Sequence, residues 1–236
     1  MTHIAVNRSR ARRYIPGMTR SPTAQVWRSA ELWRSAELWR YEVRHCGQVT
    51  LVLPVLSAAS VAGAVLVAGP AWQDLFAGTL FPVFAAFAVA AVAGSEPAPE
   101  LQTSVACPYW TTMARRLAVS GAAVTAGAVL LVVVLAVAAT GHDPMWTFAR
   151  AWCSAMFLGG VAAAAGARLR SVSGASTVVL AAWLGQLFVL GRLLHSPASE
   201  LAVPLVAAAT LVAMALRRWN TTERLAVASP GRAATS

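Results

Sequence analysis

Apolar runs of about 20 residues, separated by short polar or arginine-bearing stretches, recur from residue 49 to residue 216. Six can be drawn, at 49–69, 75–94, 117–140, 151–167, 176–194 and 201–216. At 1.5 Å per residue, about 20 residues is what an α-helix needs to cross ~30 Å of hydrocarbon. No run alternates with the period of two that marks a transmembrane strand, and backbone amides in lipid must be satisfied within their own segment. The pattern therefore predicts an all-α integral membrane protein with six transmembrane helices.

Composition agrees: 58% of the chain is hydrophobic and only 12% charged. The net charge of +10 raises the question of a nucleic-acid partner, and the location of the charge answers it. Every basic residue is arginine. Nine precede the first run, Arg115 and Arg116 follow the second, Arg168 and Arg170 follow the fourth, and four follow the sixth. Those 17 of 19 fall on one side of a six-span topology, against Arg150 and Arg192 on the other. By the positive-inside rule both termini are expected in the cytoplasm, and the partner of the charge is the lipid bilayer rather than nucleic acid.

Tryptophans fit this frame, with Trp72, Trp146 and Trp152 near outer span ends and Trp110 and Trp219 near inner ones, where amphipathic rings favour headgroups. Trp183 is the exception, inside the fifth run. No cleaved signal peptide is expected, because more than 40 polar or mixed residues precede the first run. Cys46, Cys107 and Cys153 are too scattered for a disulfide framework or a metal site and read as packing residues.

Missing residue types close several mechanisms. Without lysine the chain cannot build a P-loop, so it is not expected to be an ATPase, and no HExxH is present for an intramembrane metalloprotease. His142 and His195 fall near the outer surface, unsuited to a haem between helices. Asp74 and Arg192 lie close to the outer boundary, where interfacial snorkelling competes with a role in ion movement.

The stretch 94–117, GSEPAPELQTSVACPYWTTMARRL, is the most informative. Pro97 or Pro99 can open a short helix, with Glu96 and Glu100 at its positive N-terminal end. Leu101 and Val105 share one face, Pro108 stops the helix, and Thr111 or Thr112 can cap the next one. Tyr109 and Trp110 would anchor the segment at the headgroups. A plain interfacial turn is the competing reading.

Glu96, then Glu100-Leu101, then a serine or threonine such as Ser104, then Pro108 with aromatic residues and Arg115-Arg116, resembles the "E…EL…S…P" signature of type-2 ABC exporter membrane subunits, small actinobacterial permeases in particular. The resemblance covers roughly residues 30–225, including a basic amphipathic helix before the first span and the ending RRWNTTERL. It implies a permease that pairs with a second permease subunit, the same chain or a different one, and with two copies of an ABC ATP-binding subunit. ATP and Mg would be held by that subunit, with no cofactor on this chain. The loop 95–116 would be a cytoplasmic coupling helix between the second and third spans, contacting the ATPase through Glu96, Glu100, Leu101, Ser104, Val105 and Pro108. Arg115 and Arg116 read more readily as lipid-facing anchors than as part of that contact.

The family's re-entrant element before the last span is reduced here to 195–200, which favours a drug, peptide or lipid-like substrate over long glycans. Ser57, Ser60, Thr79, Ser154 and Gln186 are the candidate pathway residues, although helix-to-helix hydrogen bonding explains them too. Gly159, Gly160 and Ala163 read as close packing. The alternative function is a non-transporting scaffold or assembly factor that docks a cytoplasmic partner through 95–116.

The duplicated hexapeptide WRSAELWRSAELWR, residues 27–40, is not tuned to a helix face, since six residues turn through about 240°. The apolar line is Leu32, Ala36, Trp39 and Val43 instead. Trp33, Arg34, Trp39, Arg40 and Arg44 are expected on an amphipathic elbow helix at the inner leaflet, with a lipid-sensing tryptophan cluster as an alternative. The expected organisation is a disordered basic tail (1–26), the elbow (27–46), the six-helix membrane domain (47–217) and a cytoplasmic tail (218–236).

Overall fold

A computed structural model of the chain describes residues 40, 43, 48–94, 109–138, 143–190 and 196–228. All of them except Arg40 belong to one compact unit, Tyr41–Ser236. The described residues are helical and contain no strand. Five helices are long and apolar enough to cross a membrane, so the chain has the build of a multi-pass membrane protein.

Helix α1 is Gln48–Ala68 and ends at Gly69, whose φ of 92° reverses the chain. Helix α2 is Phe76–Gly94, with a π-helical start at Phe76–Leu80. Helix α3 is Tyr109–Val137 and α4 is Pro144–Leu169. Helix α5 is Val172–Gly185, continued by a π-helical turn at Gln186–Leu190. Helix α6 is Pro197–Ala228.

Three boundaries differ most from the sequence expectation. Helix α3 starts at Tyr109 rather than 117, so Thr111 and Thr112 lie inside its first turn instead of capping it. Helix α4 starts at Pro144 rather than 151 and takes Arg150 into the helix; Asp143 caps it by accepting from the Met145 amide at 2.9 Å, and Pro144 sits where a missing donor costs nothing. Helix α6 runs on through residue 228, since the segment from Arg217 contains no glycine or proline before Pro230; the expected tail boundary at 218 falls within the helix.

Small residues set the helix directions. Gly78 faces Arg150, Gly159 faces Val89 and Gly166 lies against Ala93, so α2 and α4 run parallel. Gly160 lies against Ala208, and Arg218 Nε donates to the Ala167 carbonyl at 3.2 Å, so α4 and α6 are parallel too. Tyr109 meets Trp219 edge to face, and Trp152 Nε1 donates to Thr125 Oγ1 at 3.0 Å, which sets α3 antiparallel to α4 and α6. Only Arg170 and Ser171 separate α4 from α5. Arg170 adopts the left-handed φ of 49° that ends α4, and Ser171 caps α5. Helix α4 is the hub, packed on α6, α2, α5 and α3.

Two apolar cores result. One joins Val89 and Ala93 of α2, Met113 of α3, Leu158 and Ala162 of α4, and Val179 of α5. The other joins Val65 of α1, Phe81 of α2, and Leu131 and Leu135 of α3. Helix α2 serves both, and its alanines let neighbouring backbones approach, as membrane bundles require. Outward faces stay apolar: Leu56 and Val67 on α1, Val133 on α3, Phe188 on α5 and Val206 on α6 are all exposed. Such a surface suits hydrocarbon.

Candidate functional site

The two ends of the bundle differ in chemistry. Arg115, Arg116, Arg168, Arg170, Arg217 and Arg218 lie on segments that the Gly94, Tyr109–Trp219 and Ala167–Arg218 contacts bring to one end. Arg150 belongs to the half of α4 nearer the opposite end, with Asp143 and Trp72.

At the arginine end the two anchors of the 95–108 segment are firmly held. A Cβ on Gly94 would come within 2.6 Å of the Val172 backbone nitrogen, so the end of α2 rests directly on the α4–α5 turn. The start of α3 is pinned by Tyr109 against Trp219, with Met113 buried one turn on. Trp219 is 5% exposed and thus a packing residue, not the headgroup anchor its sequence position suggested; Tyr109 packs edge to face against it. Trp72 and Trp110 keep half-exposed rings, as interfacial residues would.

Glu96, Glu100, Leu101, Ser104, Val105 and Pro108, expected to contact an ATPase, lie outside the described residues. So do Trp33, Arg34, Trp39 and Arg44 of the expected elbow, while Arg40 is helical and exposed. Cys46 and Cys107 are also outside, and Cys153 is buried in packing as expected.

The five candidate pathway residues do not form one constellation. Ser57 is buried and donates to the Pro54 carbonyl at 2.8 Å, and Thr79 donates to the Leu75 carbonyl within the π-helical start of α2. Ser60 is exposed on α1. Only Ser154 and Gln186 meet: Gln186 Nε2 donates to Ser154 Oγ at 2.7 Å, joining α5 to α4. Gly160 is a packing residue, since a Cβ there would lie 3.1 Å from the Ala208 backbone.

A polar stripe on α4 went unread in the sequence. Asp143, Thr147, Arg150 and Ser154 are spaced four, three and four, which places them on one helix face. Buried Gln73 donates from Nε2 to Thr147 Oγ1 at 3.2 Å, and the bare Cα of Gly78 makes room beside Arg150. Both π-helical turns flank this stripe, and such turns gather at functional sites because they re-aim side chains. Gln73 Oε1, Gln186 Oε1 and Trp183 Nε1 are buried without a hydrogen-bond partner. Uncompensated polar atoms in an apolar bundle are costly and suit a polar guest better than permanent packing. The signal in the sequence was the four-three-four spacing, hidden because Arg150 broke the apolar run.

Replacing Gln186 by leucine is expected to change thermal stability by less than about 1 kcal/mol, because interhelical hydrogen bonds in membranes average only ~0.6 kcal/mol and the swap also removes an orphaned acceptor. Thermal unfolding of the purified variant checks this; a loss of several kcal/mol would make the pair structural.

Comparison with protein-family models, with curated proteins and with solved structures returns no match for the chain.

Proposed function

We propose that the chain is the transmembrane permease subunit of an ATP-driven ABC exporter in a bacterial cell membrane. Its arginine end and both termini face the cytoplasm, and it moves a drug, peptide or lipid-like molecule outward. It pairs with a second permease subunit, and ATP and Mg are held by two copies of a separate ATPase.

Six crossings are favoured by chain direction. Helix α5 starts at the arginine end on Ser171, and α6 runs parallel to α4, so the chain must return across the bundle between them. With its π-helical turn, α5 as Val172–Phe188 spans ~25 Å, enough for a thin or locally adapted bilayer.

The observation that carries the transport reading is the mounting of the 95–108 segment. The two helices that flank it are α2, the most buried of the candidate spans, and α3, the main partner of α1, and both flanking ends lie where arginines concentrate. Force applied at those two ends reaches both apolar cores through rigid helices. The polar stripe on α4 supplies a candidate path for cargo.

Coexpression with a separately encoded ATPase subunit tests the proposal. Copurification, together with a hydrolysis rate that changes when residues 101–105 are deleted, supports coupling. Copurification with an unchanged rate points to a scaffold that merely docks the ATPase.

A further inference from the structure

Where α4, α5 and α6 meet near the arginine end, a groove of about 480 Å³ opens along one side of the bundle. That volume lies in the range of small-molecule sites, ~300–1,000 Å³. Val161 of α4, Val178 of α5, and Leu211 and Met214 of α6 form apolar walls, and Arg168 and Arg218 line the charged end. Among the described residues, none that lines it is acidic.

The groove has a direction. Val161 and Leu211 lie at its apolar end, next to the close approach of Gly160 to Ala208. From Val161 to Arg168 the helix rises by about 10 Å, so the charged and apolar parts are two turns apart. The two guanidinium groups come from different helices, and Arg218 is held at the rim by its Nε bond to the Ala167 carbonyl. Guanidinium groups match the phosphate geometry, and two of them disfavour the ammonium of a zwitterionic headgroup. An acyl chain can enter sideways, since Met214 and Val178 on the rim are exposed.

We propose that this groove binds an anionic phospholipid of the leaflet at the arginine end, its phosphodiester on Arg168 and Arg218 and an acyl chain along Val161 and Leu211. The site does not depend on the transport reading. Basic pockets between membrane helices bind anionic headgroups by this chemistry.

The test uses the purified full chain in micelles containing equal amounts of phosphatidylglycerol and phosphatidylcholine, with lipid retained per chain measured by native mass spectrometry after detergent washing. The parent chain keeps phosphatidylglycerol selectively. R168Q/R218Q lowers that retention roughly thirtyfold, from about fivefold per arginine. A164F, which fills the groove and leaves every charge in place, also lowers it. R170Q/R217Q removes the same charge from the same end but outside the lining and leaves retention unchanged, and circular dichroism verifies that each variant is folded. Equal retention of both lipids, an equal loss in R170Q/R217Q, or full retention in a folded A164F would each overturn the proposal.

Discussion

Alanine in place of Gly166 is expected to lower the thermal midpoint of the purified chain by roughly 2–10 °C, from about 1–3 kcal/mol of overpacking. The added Cβ would lie 2.6 Å from Ala93 Cβ and 2.9 Å from the Ala93 carbonyl atoms. Backbone cannot step aside as the tip of a long side chain can. Helix α2 is also fixed just beyond this point, where Gly94 rests on Ser171 and Val172. Gly121 provides the control, because a Cβ there meets nothing within 4 Å, so the same substitution should not lower stability and should raise it by about 0.5–1 kcal/mol through helix propensity. Tryptophan-fluorescence melting of the two variants in one detergent measures the difference. Equal midpoints would mean that α2 and α4 do not pack as described.

Reversing Glu100 to lysine is expected to weaken the chain's effect on its ATPase by at least about tenfold, the consequence of placing a like or unpaired charge in an interface, which costs several kcal/mol. Glu100 belongs to the segment suspended between α2 and α3, whereas Glu200 sits in the first turn of α6 at the opposite end. Glu200→Lys therefore makes the same charge change far from the proposed contact. Hydrolysis by the coexpressed complex should fall to the rate of the isolated ATPase with Glu100→Lys and hold its value with Glu200→Lys. If both variants behave alike, the segment is not where the ATPase acts.

Helices α1 and α2 were legible because their apolar runs are unbroken, so length alone defined them. The start of α4 was not, since Arg150 cut the run, although Asp143-Pro144 offered a cap and a first-turn proline. The start of α3 was obscured by the polar residues between Tyr109 and Arg116. Contacts between helices were beyond reach for a different reason. A helix that is apolar all round has no preferred face, so nothing in α2 announces that Ala93 meets Gly166. Ser154 and Gln186 stand out in the sequence singly as polar groups at depth, but their partnership depends on α5 folding back on α4. Trp219 illustrates the converse: its position suggested an interface, and the neighbouring Tyr109 buries it.

Orientation and coupling can be tested together at Cys107. A chain retaining this cysteine, with Cys46→Ser and Cys153→Ala, is treated with a membrane-impermeant maleimide in right-side-out and in inverted vesicles. Cys107 should label only in inverted vesicles and become protected when the ATPase subunit is added. Labelling confined to right-side-out vesicles would place the arginine end outside and contradict the exporter assignment.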